Sequence, residues 1–173
     1  EVTGIMMGEG ERTFYALCDY YVNQKGSLLD LTGVAYRDRE NGGLHIVAPE
    51  LPMNMSDIPF CYEKIGDFKN RIIYYESSRG CPFSCSYCLS SVDKKLRFRD
   101  LELVKKELAF FIEKEVPQVK FVDRTFNCEH KHAMAIWQFI KEHDNGITNF
   151  HFEVSADLLR DDEIELMSTL RPG

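Results

Sequence analysis

Apolar residues along this chain fall into an alternation of strand-like and helix-like rhythms. Residues 71–76 hold the run Ile72, Ile73, Tyr74 and Tyr75, which by composition is a β-strand. Further on, Leu101, Val104, Leu108, Phe111 and Ile112 recur at helical spacing, with Asp100 in the N-cap position and Pro117 marking the end. The rhythm then repeats. Residues 119–123 read as a second strand, and Ala133, Ile136, Trp137 and Ile140 mark a second helix that stops near Gly146, its C′ glycine. Residues 149–154 read as a third strand, and a last helix, capped by Asp161, carries Ile164, Met167 and Leu170. Strand and helix alternating in this way imply right-handed βαβ crossovers and a parallel sheet, so the fold class is α/β.

The first seventy residues have a different grain. A short apolar stretch ends in the turn Gly8-Glu9-Gly10-Glu11, and Phe14, Leu17, Cys18 and Tyr21 then form one face of a helix over 13–23. Two β-prone runs, 33–37 and 44–47, flank Asn41-Gly42 and predict a hairpin. Residues 48–70 hold Pro49, Pro52 and Pro59 among scattered apolar residues such as Met53, Met55, Ile58, Phe60 and Tyr62. They read as a linker lying down on a surface.

Composition narrows the class. The chain has 173 residues, 44% hydrophobic and 28% charged, which is ordinary for a globular protein able to bury a core. A formal charge of −7 spread over mixed-sign segments argues against a nucleic-acid partner. The basic run Lys94, Lys95, Arg97 and Arg99 reads as a solvated loop. There is no apolar run of about eighteen residues and no signal-peptide pattern, so the expectation is a soluble, cytoplasmic protein without a membrane partner. In that compartment the six cysteines are reduced. His45, His130, His132, His143 and His151 lack metal-ligand spacing and read as packing or surface residues. Both ends look cut, and the chain reads as a piece of a longer enzyme.

Chemistry concentrates in Arg79-Gly80-Cys81-Pro82-Phe83-Ser84-Cys85-Ser86-Tyr87-Cys88, where three cysteines lie within eight residues. A structural zinc site takes four ligands, built from paired knuckles. The pattern here is CxxxCxxC with no second pair following, so zinc would need a fourth ligand such as Cys128. A redox dithiol or simple buried thiols are further alternatives. Iron–sulfur clusters are the other thiolate-bound class, and three cysteines on a four-iron cluster leave one iron open to an external ligand.

CxxxCxxC with the aromatic Tyr87 before its last cysteine resembles the signature of the radical S-adenosylmethionine (radical SAM) superfamily. The longer string from Tyr75 to Ser91 is similar to the branch that carries a cobalamin-binding domain and includes relatives of the anaerobic Mg-protoporphyrin IX monomethyl ester cyclase. The resemblance implies that Cys81, Cys85 and Cys88 bind a 4Fe-4S cluster whose fourth iron is chelated by S-adenosylmethionine. It also implies that the chain supplies the first three units of a partial (βα)6 barrel. By the same resemblance, residues 1–26 are the end of a cobalamin-binding-like domain, 27–70 a hairpin and linker, and 71–173 the N-terminal half of the barrel. The cobalamin ligand motif DxHxxG is absent, so cobalamin is expected in the full-length parent only.

In parallel α/β folds, ligands gather at the C-terminal ends of strands. That rule selects the cysteine loop, Asp123 with Arg124, and Glu153 with Ser155. Within the resemblance, Asp123 stands where the family contacts the methionyl amino group, although Asp123-Arg124-Thr125 departs from the usual Gly-Gly-Glu-like motif. Arg124 would pair the carboxylate, and Glu153 would hold the ribose or the amino group. Tyr87 belongs to the same cofactor site. The implied activity is oxidoreductase-type radical chemistry, in which S-adenosylmethionine is cleaved reductively to a 5′-deoxyadenosyl radical. The implied partners are a small-molecule substrate and an electron donor such as flavodoxin or ferredoxin. The isolated piece, with half a barrel, is expected to be inactive.

Overall fold

The computed structural model describes residues 2–38, 42–64, 66 and 68–172. The chain divides into two compact units, residues 1–53 and 54–173.

In the first unit, β1 (Gly4–Met6), β2 (Val34–Arg37) and β3 (Leu44–Val47) form an antiparallel sheet in the order β1-β2-β3. The hairpin is in register Val34↔Val47 through Arg37↔Leu44. Part of its turn, including Asn41, lies outside the described residues. Helix α1 (Gly10–Asn23) starts three residues earlier than its apolar face suggests, with Glu9 as N-cap. Glu9 also accepts a hydrogen bond from the Met53 amide at 3.0 Å, and Thr13 Oγ1 donates to the Thr32 carbonyl. The helix, the hairpin and the start of the proline-containing segment are therefore one unit, whereas the sequence divides the chain after residues 26 and 70.

The second unit holds the parallel sheet. Strands β4 (Ile72–Tyr75), β7 (Gln118–Phe121) and β8 (Asn149–His151) pair in the order β4-β7-β8, both pairings parallel. They alternate with α2 (Leu101–Glu113), α3 (His130–His143) and α4 (Asp161–Ser168) as the apolar rhythm dictates. Between β4 and α2, the short strands β5 (Ser78–Arg79) and β6 (Arg97–Phe98) pair antiparallel. Asp100 caps α2 by accepting from the amides of Glu102 and Leu103. At α4 the cap is Arg160, whose amide donates to Glu163; Asp161 is already the first helical residue.

One face of each strand packs on the helices. Ile73 and Tyr75 of β4 and Val119 and Phe121 of β7 enter a core with Val104, Leu108 and Phe111 of α2 and Ile136 and Trp137 of α3. Residues 54–70 contribute to this core rather than merely linking. Met55 is 2% exposed, Phe68 is buried, and Phe60 packs edge-to-face on Phe110 and Phe111. Arg99, assigned by sequence to a solvated basic loop, is buried. Its guanidinium pairs with both oxygens of Glu107, and Glu107 also accepts from the Tyr75 hydroxyl at 2.6 Å. Among the described residues, no helix is long and apolar enough to cross a membrane.

Candidate metal and cofactor site at the cysteine loop

Strand β4 ends at Tyr75, and the chain turns through Ser77 to Gly80 into the cysteine loop at the C-terminal end of the sheet. The loop is closed at its neck. The Cys81 amide donates to the Asp93 carbonyl at 2.9 Å, the Arg99 amide donates to Ser77, and β5 pairs with β6 beneath them. Gly80 has φ +101°, and a Cβ there would lie 2.5 Å from the Lys95 carbonyl oxygen, so this approach of two backbones requires glycine.

Within the loop, Cys81 is buried with its Sγ 3.7 Å from Thr125 Oγ1, Cys88 is half-buried, and Cys85 is exposed. The Cys88 amide closes a turn onto the Cys85 carbonyl. Tyr87 is 91% exposed. No residue from Cys81 to Cys88 is charged, and none of the described cysteines is in a disulfide. Three soft sulfur donors on a segment outside regular helix or strand fit a thiolate-bound iron cluster by donor chemistry. Among the described residues, no three His, Cys, Asp or Glu side chains are gathered closely enough to hold a metal ion. Neither the three thiols nor their set with Cys128 is preassembled.

A row of polar groups joins the strand ends. Asp123 follows β7 and is 1% exposed. It accepts from the Ser77 amide at 2.8 Å, the Ser77 hydroxyl at 2.6 Å and the Ser78 hydroxyl at 2.7 Å. His132 Nε2 lies 3.2 Å from Ser77 Oγ, and burial pushes the pKa of this imidazole down. Asn127 then bonds the next rim as a strand residue would, donating to the Ser155 carbonyl and accepting from the Ser155 amide, while the Phe126 amide donates to the Glu153 carbonyl. Ser77, Ser78, Thr125 and Asn127 were given no role by the sequence, where uncharged polar residues near strand ends are commonplace, and His132 read only as a packing or surface residue. Two hydroxyls at one strand end facing a carboxylate at the next is the signal that would find them.

Of the cofactor residues expected from the sequence, Asp123 has both carboxylate oxygens engaged by Ser77 and Ser78. Arg124 is exposed, and Glu153 is exposed with an oxygen 3.3 Å from Lys120 Nζ. Cys128 is half-buried just beyond Thr125. Burial first, then the Asp123 charge, push its thiol up to about 11.

The sequence from residue 75 to 172 matches the Radical SAM superfamily model. The chain belongs to the radical SAM superfamily. Its parallel sheet with helices is a partial radical SAM fold, and two solved radical SAM proteins superpose on nearly all of the chain. One is the radical S-adenosylmethionine methyltransferase TsrM of Kitasatospora setae, with tryptophan and a SAM analogue bound: TM-score 0.67, 16% identity, 97% of this chain and 35% of that one. The other is the cobalamin-dependent S-adenosylmethionine radical enzyme OxsB with aqua-cobalamin bound: TM-score 0.65, 21% identity, 96% of this chain and 25% of that one. By sequence, the chain is 31% identical over 151 residues to an uncharacterised methyltransferase of Pyrococcus horikoshii, covering 82% of this chain. It spans 32% of that relative's length.

Proposed function

We propose that this chain is the cluster-bearing part of a radical SAM enzyme, with Cys81, Cys85 and Cys88 holding a 4Fe-4S cluster and S-adenosylmethionine bound beside it. The observation that carries this reading is the position of the three thiols, on one uncharged loop at the C-terminal end of the first parallel strand. A cluster held by these thiols would supply the electron for reductive cleavage of S-adenosylmethionine to methionine and a 5′-deoxyadenosyl radical. The chain's own residues bind and orient. Cys81, backed by Thr125, is the buried anchor, while Cys85 and Cys88 approach from the open side. Arg124 and Glu153, exposed beyond the second and third strands, would meet the methionyl carboxylate and the ammonium or ribose, and the exposed Tyr87 would join the same cofactor site. Asp123 holds the root of the loop to the second strand.

The names of the relatives support methyl transfer, with cobalamin held by parts of the parent outside this chain, over the cyclase-like outcome implied by the cysteine string. A low-potential donor such as flavodoxin or ferredoxin supplies the electron, and the reduced thiols suit the cytoplasm. The test is anaerobic loading with iron and sulfide, followed by S-adenosylmethionine cleavage in the full-length parent. Wild type should take up about four irons per chain and cleave the cofactor, and Cys85→Ala should do neither. Equal cleavage by both proteins, or a colourless zinc held by wild type, overturns the reading.

A further inference from the structure

The strand-end network contains a buried charge that the loop's fixing alone does not require. Asp123 is 1% exposed, and its three partners are all donors: one amide and two hydroxyls. Three donors turned inward on one carboxyl favour its ionised form over the acid. On balance burial raises its pKa, against the opposing pull of the bonds from Ser77 and Ser78. The one titratable base in the network, His132, is kept neutral by burial, which lowers its pKa. A buried anion without a cation partner is costly, and a neutral side chain making similar bonds would hold the loop root as well.

The carboxyl sits at the root of the thiolate loop. Ser77 and Ser78 lie just ahead of Cys81 in the chain, and Thr125, two residues past Asp123, touches Cys81 Sγ at 3.7 Å. At the neighbouring Cys128, Asp123 is the first charge after burial among the causes that raise the thiol.

Resting on the reading above, we propose that Asp123 is a positioning residue that sets the reduction potential of the cluster held at Cys81. A fixed negative charge beside a cluster disfavours addition of an electron and so lowers its potential. The reduced form is then a stronger one-electron donor to the sulfonium, at the cost of needing a low-potential donor protein to recharge it.

The experiment is a redox titration of the loaded full chain at about pH 8, followed through the paramagnetic signal of the reduced cluster, so that turnover plays no part. Asp123→Asn keeps the shape and removes the charge. It should raise the midpoint by roughly a tenfold change in the reduction equilibrium, about 59 mV for one electron. Asp123→Glu keeps a carboxylate and should leave the midpoint near that of wild type. An Asp123→Asn midpoint no higher than wild type, at equal iron content, overturns the proposal, as does an Asp123→Glu midpoint raised as far as that of Asp123→Asn. Should Asp123→Asn hold no iron, Asp123→Ala, which also lacks the charge, is read in its place. Failure of wild type to load iron overturns the cluster reading itself, whereas a loaded wild type with an unmoved Asp123→Asn midpoint overturns only the role given to Asp123.

Discussion

Gly80 adopts φ +101° because the backbone of Lys95 leaves no room for a side chain. Gly80→Ala should destabilise the fold by about 1–3 kcal/mol from backbone strain alone, and more once the neck is pushed open. The checks are the denaturant midpoint and the iron bound after loading. Gly146, also at positive φ but with open space around its missing Cβ, is the control, and Gly146→Ala should leave iron binding unchanged. At His132 the effect depends on pH. Burial holds its folded pKa below the ordinary 6.5, so the unfolded chain takes up the proton first as pH falls. The stability contributed by the neutral ring is complete above 6.5 and is lost as pH drops through and below that value. Denaturant midpoints at about pH 7.5 and 5.5 should therefore show wild type losing more stability on acidification than His132→Gln.

Among the elements, α2 is tied to β4 by more than apolar packing. Arg99, Glu107 and Tyr75 form a buried hydrogen-bonded set, and Arg99 also donates to the Met55 carbonyl. Glu107→Ala would leave the Arg99 charge buried and unpaired, and should cost about 3–5 kcal/mol, read from chemical denaturation. None of this was legible beforehand: Arg99 sits in a run of cations that looks solvated, and its partner lies two helical turns on. The three parallel strands and the helices between them were legible, because their apolar periods are long and locally consistent. The cap at Asp100 was legible too, since its partners are the next amides along the chain. Strand β1 was not, because three residues give no alternation and its pairing partner is distant in sequence. At the site the cysteines announced themselves by spacing alone. Ser77, Thr125 and Asn127 acquire meaning only once parallel pairing brings three strand ends side by side.

For the molecule as a whole, the core described for the second unit draws every member from residues beyond 54. A protein cut to residues 54–173 should therefore unfold in one cooperative transition, measured by circular dichroism in denaturant. Starting at residue 71 removes Phe60, Tyr62 and Phe68 from the core and the Met55 acceptor from Arg99, and should abolish that transition. The closed neck of the cysteine loop has a consequence for assembly. With Cys81 tied to Asp93 by a backbone bond, the sulfurs are tethered to one another through a few residues of chain. On the proposed reading, capture of a first iron would present the remaining thiols at an effective concentration in the millimolar range, about that of a short flexible tether. Chelation would then favour full ligation over partly ligated forms.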